Sequence, residues 1–170
     1  SDLESNDSYL AQGGMCMLRD EDDYDAYFED TLKAGHYEND RKSVEIMIKS
    51  SHDVVEDLLE YGVEFEREGD GELAFTKEGA HSAKRILFHE DITGKEITSK
   101  LLAEAKRREN ITLMEYTTIV DIIEKDGRCV GAVIRTKDGG LETVEAEDVV
   151  LACGGIGGLY EHSTNYRHLT

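Results

Sequence analysis

Proline is missing from all 170 residues, against a usage of about 5% in ordinary domains. The pattern of the chain supplies no physical reason for this. Cysteine is scarce: Cys16, Cys129 and Cys153 are odd in number and widely spaced. That excludes a disulfide framework and fits a reducing compartment. No C-x-x-C pair occurs, which argues against a zinc site, and no metal is expected. Basic residues are few, 19 Lys and Arg against 38 Asp and Glu, for a formal net charge of -19. Such a balance argues against nucleic acid and against an anionic membrane surface as partners. It does not identify a cationic substrate, because most of these carboxylates belong on solvated faces. No apolar run approaches transmembrane length and no signal-peptide pattern is present, so a cytoplasmic protein is expected.

What remains is an ordinary globular composition, 39% hydrophobic, in a chain of about one domain that is long enough to bury a core. The chain begins without Met and stops soon after a glycine-rich turn, at Arg167-His168-Leu169-Thr170. Domain ends usually follow a completed element, so a piece of a longer protein is expected.

Residues 75–102 concentrate the chemistry. Glu78 is followed by Gly79 and Ala80, small residues that let a backbone approach a ligand. His81, Arg85 and His89 recur at spacings of four. Thr93 and Glu96 have capping-box spacing, which predicts a helix from about Gly94 to Arg107 with Ile97, Leu101, Leu102 and Ala105 inward. Its free N–H groups are a natural anion site. Taken alone, a Glu in a loop is usually just solvated.

Elsewhere the periodicities are plain. Residues 1–14 read as a loop ending in Gly13-Gly14, a pair that permits positive φ and close contact. The acidic run from Asp20 to Asp25 lacks the glycine of a calcium loop and reads as a helix N-terminus. A helix follows through Tyr24, Tyr27, Phe28, Thr31 and Leu32 to Gly35. A second runs from about Arg41 to Tyr61, with Asp40 as N-cap and Val44, Met47, Ile48, Val55, Leu58 and Leu59 as its apolar stripe. Extended pieces then flank the turn 68–71. Ile111 to Tyr116 reads as a strand, and Thr118–Glu124 with Arg128–Thr136 as a hairpin across Asp126-Gly127. Leu141 to Ala146 adds a further strand. Val149 to Cys153 is apolar throughout, as in a parallel strand buried on both faces, and glycines follow it. Glycines at the carboxyl end of such a strand mark ligand sites in open α/β sheets, although G-x-G-x-x-G spacing is absent.

Taken together, Ser8-Tyr9-Leu10-Ala11-Gln12-Gly13-Gly14, Glu78-Gly79-Ala80-His81-Ser82 with Arg85-Ile86-Leu87, Asp91-Ile92-Thr93-Gly94-Lys95-Glu96 and Ala152-Cys153-Gly154-Gly155 resemble the flavoprotein family of succinate dehydrogenase and fumarate reductase, and within it the branch that oxidises L-aspartate. The resemblance runs in order over essentially the whole chain. It implies a mixed α/β fold: part of a Rossmann-like FAD/NAD(P)-binding domain with a helical insert and a β-meander, lacking the N-terminal βαβ unit. Residues 1–170 would be the middle part of that domain, without the capping domain and the C-terminal FAD segments. Such a piece is expected to turn over no substrate by itself; an oxidase rate measured on these 170 residues would contradict this.

The resemblance also implies roles. Asp7, Ser8, Tyr9, Gln12, Gly13 and Gly14 would run along the flavin, Thr118 and Ile119 would pass the adenosine side, and Ala152, Gly154 and Gly155 would complete the cofactor site. Relatives with covalent flavin carry a His where this chain has Asp7, so FAD is expected to be non-covalent. Cys153 stands where the family has Thr, which weakens a hydroxyl contact. Glu78 would orient the ammonium of L-aspartate, with oxygen or fumarate as electron acceptor, in the first step of de novo NAD synthesis through quinolinate. Quinolinate synthase would then act downstream. His81 and Arg85 are candidates for holding substrate carboxylates, although a structural His and a helix-facing Arg fit equally well. A fumarate reductase-like flavoprotein and a non-catalytic acidic interaction domain are the alternatives. Apolar edge surface along Val149 to Leu151 would favour self-association.

Overall fold

The computed structural model describes residues 3–4 and 6–164. Those residues divide into two compact units, Ser8–Ala105 being one and the residues before and after it the other. Arg167, within the C-terminal stretch noted above, lies outside the described residues.

In the Ser8–Ala105 unit, short β1 (Met15–Cys16) pairs antiparallel with β2 (Ile86–Leu87), Met15 opposite Leu87 and Cys16 opposite Ile86. Three helices pack around this ribbon: α2 (Tyr24–Ala34), α3 (Arg41–Glu60) and α4 (Thr93–Arg107). The acidic run does lead into α2. It forms a 3-10 turn, Glu21–Asp23, in which the Asp20 side chain accepts a hydrogen bond from the Asp23 N–H. Gly35 ends α2 as expected.

The long helix α3 holds the core together. Asp40 caps it, its carboxylate accepting from the Ser43 N–H at 2.7 Å. At the other end Gly62 takes φ +85°, a conformation that costs glycine little. Val44 and Ile48 pack with Tyr27 and Leu32 of α2. About two helical turns further on, Val55 and Leu58 pack with Met17, Val63, Phe65 and Leu87. Fully burying an aliphatic side chain of this kind contributes about 1.5–3 kcal/mol. Met47 departs from the expected stripe: it is exposed, while Leu59 is half-buried.

At α4 the helix is where the spacing predicts it, but the capping box does not form. The Thr93 hydroxyl accepts from the His89 N–H at 3.0 Å, and the Glu96 carboxylate accepts from the Glu64 N–H at 2.9 Å. Both side chains have found partners outside the helix, and Thr93 is buried by them. The N-terminus of α4 is not an open anion site either. The Gly94 N–H donates to the Ala11 carbonyl at 2.9 Å, and the Glu96 N–H to the Ile92 carbonyl at 3.0 Å. Leu101 is exposed; Ile97, Leu102 and Ala105 are half-buried.

The N-terminal stretch is not wholly loop: Asp7–Leu10 winds into one helical turn, α1. Neither Gly13 nor Gly14 needs positive φ. Close approach is what Gly14 supplies, since a Cβ there would strike the Ile86 side chain and the Leu87 carbonyl of β2.

In the other unit, β3 (Thr118–Lys125), β4 (Arg128–Arg135) and β5 (Leu141–Glu145) form an antiparallel meander in the order β3-β4-β5. The hairpin falls on Asp126-Gly127, with φ +55° and +76°, the conformation of a two-residue turn matched to strand twist. Ala132 and Ile134 of the central strand are buried, while β3 and β5 are largely exposed. Two expected strands are absent. Residues 111–116 and 149–153 are irregular, and Val150 is 85% exposed. A strand exists only in a ladder, and the described ladder in this unit ends at β3 and β5.

Gly94 gives a direct check of the packing between α4 and the N-terminal turn. A Cβ there would strike the Ser8 carbonyl oxygen and Ala11. Gly94→Ala should therefore destabilise the chain by about 1–3 kcal/mol, read as a lower urea midpoint with the same slope.

Candidate active site

Glu78 sits on a loop whose neck is closed by Thr76 and Ile86. Their backbones exchange hydrogen bonds of 2.9 and 3.2 Å. Within the loop the Glu78 carbonyl accepts from the His81 N–H at 3.4 Å, and Gly79 makes the turn at φ +57°. The Glu78 carboxylate is exposed and faces Gly13; a Cβ on that glycine would lie 3.9 Å from Oε2. The carboxylate and the Gly-Gly loop that the sequence separates are thus adjacent.

Beneath the turn lies a buried charge cluster. Arg85 is 0% exposed. Its Nε and Nη2 donate to the two oxygens of Asp23 at 2.9 and 2.6 Å, and Nη1 donates to Asp30 Oδ2 at 2.7 Å. The guanidinium also stacks 5.0 Å from the Tyr27 ring. These contacts favour the structural alternative that the sequence offered for Arg85 over a grip on substrate carboxylates. Its donors are committed to protein carboxylates, in the fork geometry that suits guanidinium best. Hydrogen bonds to Asp23 hold Arg85 above its ordinary pKa, so its charge is permanent.

His81 is half-buried, and its ring is committed as well. Nδ1 lies 3.1 Å from Arg85 Nη1, and Nε2 lies 3.1 Å from Cys16 Sγ. A guanidinium can only donate, so Nδ1 accepts and the proton resides on Nε2, directed at the sulfur. Burial, followed by the nearby Arg85 charge, lowers the His81 pKa and keeps the ring neutral at pH 7. Burial raises the Cys16 thiol and the Tyr27 phenol, which lie against each other. Asp30, Asp23, Cys16 and Tyr27 are the members that the sequence did not single out as a site; the only trace of Asp23 was its place in the acidic run.

The remaining predicted residues fall into two groups. Ser8, Ala11, Gly13, Gly14, Thr93 and Gly94 line a cavity of about 260 Å³. Beside it the Gln12 amide donates to Asp91 at 3.2 Å, and the Lys95 ammonium lies 5.7 Å from the Tyr9 ring. Asp7 opens α1; Thr118 opens β3, paired with Arg135, and Ile119 beside it is exposed. Ala152, Gly154 (φ +74°) and Gly155 lie in the exposed irregular stretch. These last six belong to the other unit. On α3, exposed His52, Asp53 and Glu56 bring ligand-type atoms within 4.8 Å of one another.

A mixed helix-and-strand chain that presents an exposed Ala-Gln-Gly-Gly backbone to a cavity, beside a turn bearing a carboxylate, has the makings of a cofactor-binding domain. The chain belongs to the FAD binding domain family, which matches residues 2–170. It is 47% identical to the L-aspartate oxidase of Clostridium perfringens and 40% identical to that of Clostridium acetobutylicum, over 96% of this chain in both cases. Among solved structures, the Mycobacterium smegmatis Sdh1 complex in the apo form superposes with TM-score 0.86 at 29% identity, covering 97% of this chain and 31% of that one. An E. coli quinol fumarate reductase FrdA variant gives 0.88 at 25% identity, covering 96% and 28%. The chain spans 37% of the length of the two clostridial relatives. FAD is the cofactor of this family, and the bare backbone at Gly13 beside the cavity fits a flat ring system lying close to the main chain. No helix among the described residues is long and apolar enough to cross a membrane.

Asp30 predicts an acid limb of stability. Burial pushes its pKa up, but hydrogen bonds from the Ser82 hydroxyl and N–H, and then Arg85, outweigh this and bring it from 3.8 to about 2. A depressed carboxyl stabilises the fold above its unfolded pKa and loses that contribution as pH falls through the folded value. The contribution, about 2 kcal/mol, should disappear between pH 3.8 and about 2. Urea midpoints measured across this window should fall, and Asp30→Asn should flatten the fall.

Proposed function

We propose that the whole protein is a flavin-dependent L-aspartate oxidase, converting L-aspartate to iminoaspartate, and that this chain is the middle part of its FAD-binding domain. The observation that carries the reading is the Glu78 carboxylate beside Gly13, at the cavity edge of a chain that is 47% identical to an L-aspartate oxidase. Aspartate differs from succinate by one ammonium group. A carboxylate in this position accepts a charge-assisted hydrogen bond from that ammonium. Against succinate it would face no cation and would repel the substrate's own carboxylates. FAD, when bound, supplies the two-electron acceptor chemistry. Ser8, Tyr9, Gln12, Gly13 and Gly14 would hold its ring system, with Asp7 where covalent relatives have His, so attachment is non-covalent. Thr118, Ile119, Ala152, Gly154 and Gly155 would serve the rest of the cofactor.

His81 serves this reaction by shaping the turn rather than by binding substrate, because both ring nitrogens are already engaged. The electrons removed pass to oxygen or fumarate, the product enters quinolinate and NAD synthesis through a quinolinate synthase, and the protein works in the cytoplasm. Likeness to the Sdh1 and FrdA folds supports a second reading, a succinate- or fumarate-type flavoprotein; Glu78 opposes it.

The visible spectrum of the full-length protein separates these readings. Bleaching of the flavin band by L-aspartate and not by succinate is expected. Bleaching by succinate alone would support the second reading, and bleaching by neither a non-catalytic acidic domain. Glu78→Gln should lower kcat/KM for L-aspartate about 10–100-fold, the worth of one hydrogen bond to a charged group, and narrow the preference over succinate.

A further inference from the structure

The loop that carries Glu78 is held by contacts that its own sequence does not announce. Ser82 donates both its N–H and its hydroxyl to one oxygen of Asp30, each at 2.6 Å. Arg85 Nη1 donates to the same oxygen at 2.7 Å. Asp30 stands on α2, a rigid element whose Tyr27 and Leu32 are core residues. The fixed point at Ser82 is one residue from His81, and the His81 N–H donates to the Glu78 carbonyl. His81 in turn reaches Cys16 of β1 through Nε2, and β1 follows directly on Gly13-Gly14. The Glu78 carboxylate itself is exposed beside Gly13, and among the described residues it accepts no hydrogen bond that would fix it. Its position is therefore inherited from the backbone of the turn.

We propose that Asp30 and Ser82 form a clamp that sets the position of the Glu78 carboxylate and thereby governs recognition of the substrate's ammonium without touching substrate. This rests on the role of Glu78 given above. Both are positioning residues: Asp30 supplies the fixed acceptor on α2, and Ser82 supplies two donors on the loop. A hydroxyl lost at Ser82 leaves the N–H bond in place, so the fold is kept while the turn gains freedom. Asp30→Asn also removes one of the two counter-charges of Arg85 and threatens the fold, so Ser82 carries the test.

The experiment uses the full-length flavoprotein with FAD bound, in steady-state turnover of L-aspartate. Ser82→Ala should raise KM about tenfold, the scale of a small displacement of a binding group, with kcat and the flavin absorbance retained. Ser82→Thr keeps the hydroxyl and should restore KM. In a Glu78→Gln background, Ser82→Ala should add no further rise, because the group it positions is already neutral. An unchanged KM in Ser82→Ala, including one accompanied by a lower thermal midpoint, overturns the clamp. So does a rise of equal size in both backgrounds. If Glu78→Gln alone leaves KM unchanged, the Glu78 role has failed and the clamp falls with it. A normal Glu78→Gln effect beside an inert Ser82→Ala is failure of the clamp alone.

Discussion

A guanidinium can be removed from water only if its charge and its donors are both satisfied, and Arg85 imposes this requirement on the whole Ser8–Ala105 unit. Two carboxylates from the α2 region meet it, Asp23 with both oxygens and Asp30 with one. Breaking such a buried pair by removing one partner usually costs about 3–5 kcal/mol, because a charge is stranded. The cluster therefore tolerates little rearrangement. It ties the strand that follows the Glu78 loop to the start of α2, and its reach extends through His81 to β1. The loop that carries Glu78 is thereby anchored on an interaction among protein side chains.

That arrangement has a chemical logic. A carboxylate that recognises an ammonium must be accessible, so it cannot be fixed by burial. It must also be placed closely, since its discrimination depends on one short hydrogen bond. In the role proposed for Glu78, exposure of the side chain and rigidity beneath it would resolve the conflict: the side chain stays at the surface while the turn is fastened to a packed helix. Neutral His81 fits the same scheme, since a second cation in the cluster would repel Arg85.

Local signals were legible wherever the determining partners are neighbours in sequence. Asp40 caps α3, Gly35 and Gly62 end helices, and Asp126-Gly127 turns the hairpin, because each effect acts within a few residues. Thr93 and Glu96 had the right spacing for a capping box, yet His89 and Glu64 took their hydrogen bonds. Val149 to Cys153 had a strand composition, but composition cannot supply the neighbouring strand that a ladder requires. Met47 had helical register with the core, but lies on the exposed side of the stripe.

By itself the sequence determined the class of the molecule: the helices, the meander, the glycine-bearing motifs and, through their order, a flavin-binding domain, for which Glu78 is the proposed distinguishing carboxylate. These follow from short-range propensity and from residue identity. Only the tertiary structure decided what Arg85 does. It lies 62 residues from Asp23 and 55 from Asp30, and no periodicity or motif joins them. Read along the chain, an Arg four residues after a His at a ligand-rich loop was a candidate to grip substrate. Folded, it is fully buried among protein carboxylates, since a charge taken out of water goes to whichever counter-charge the packing brings within reach.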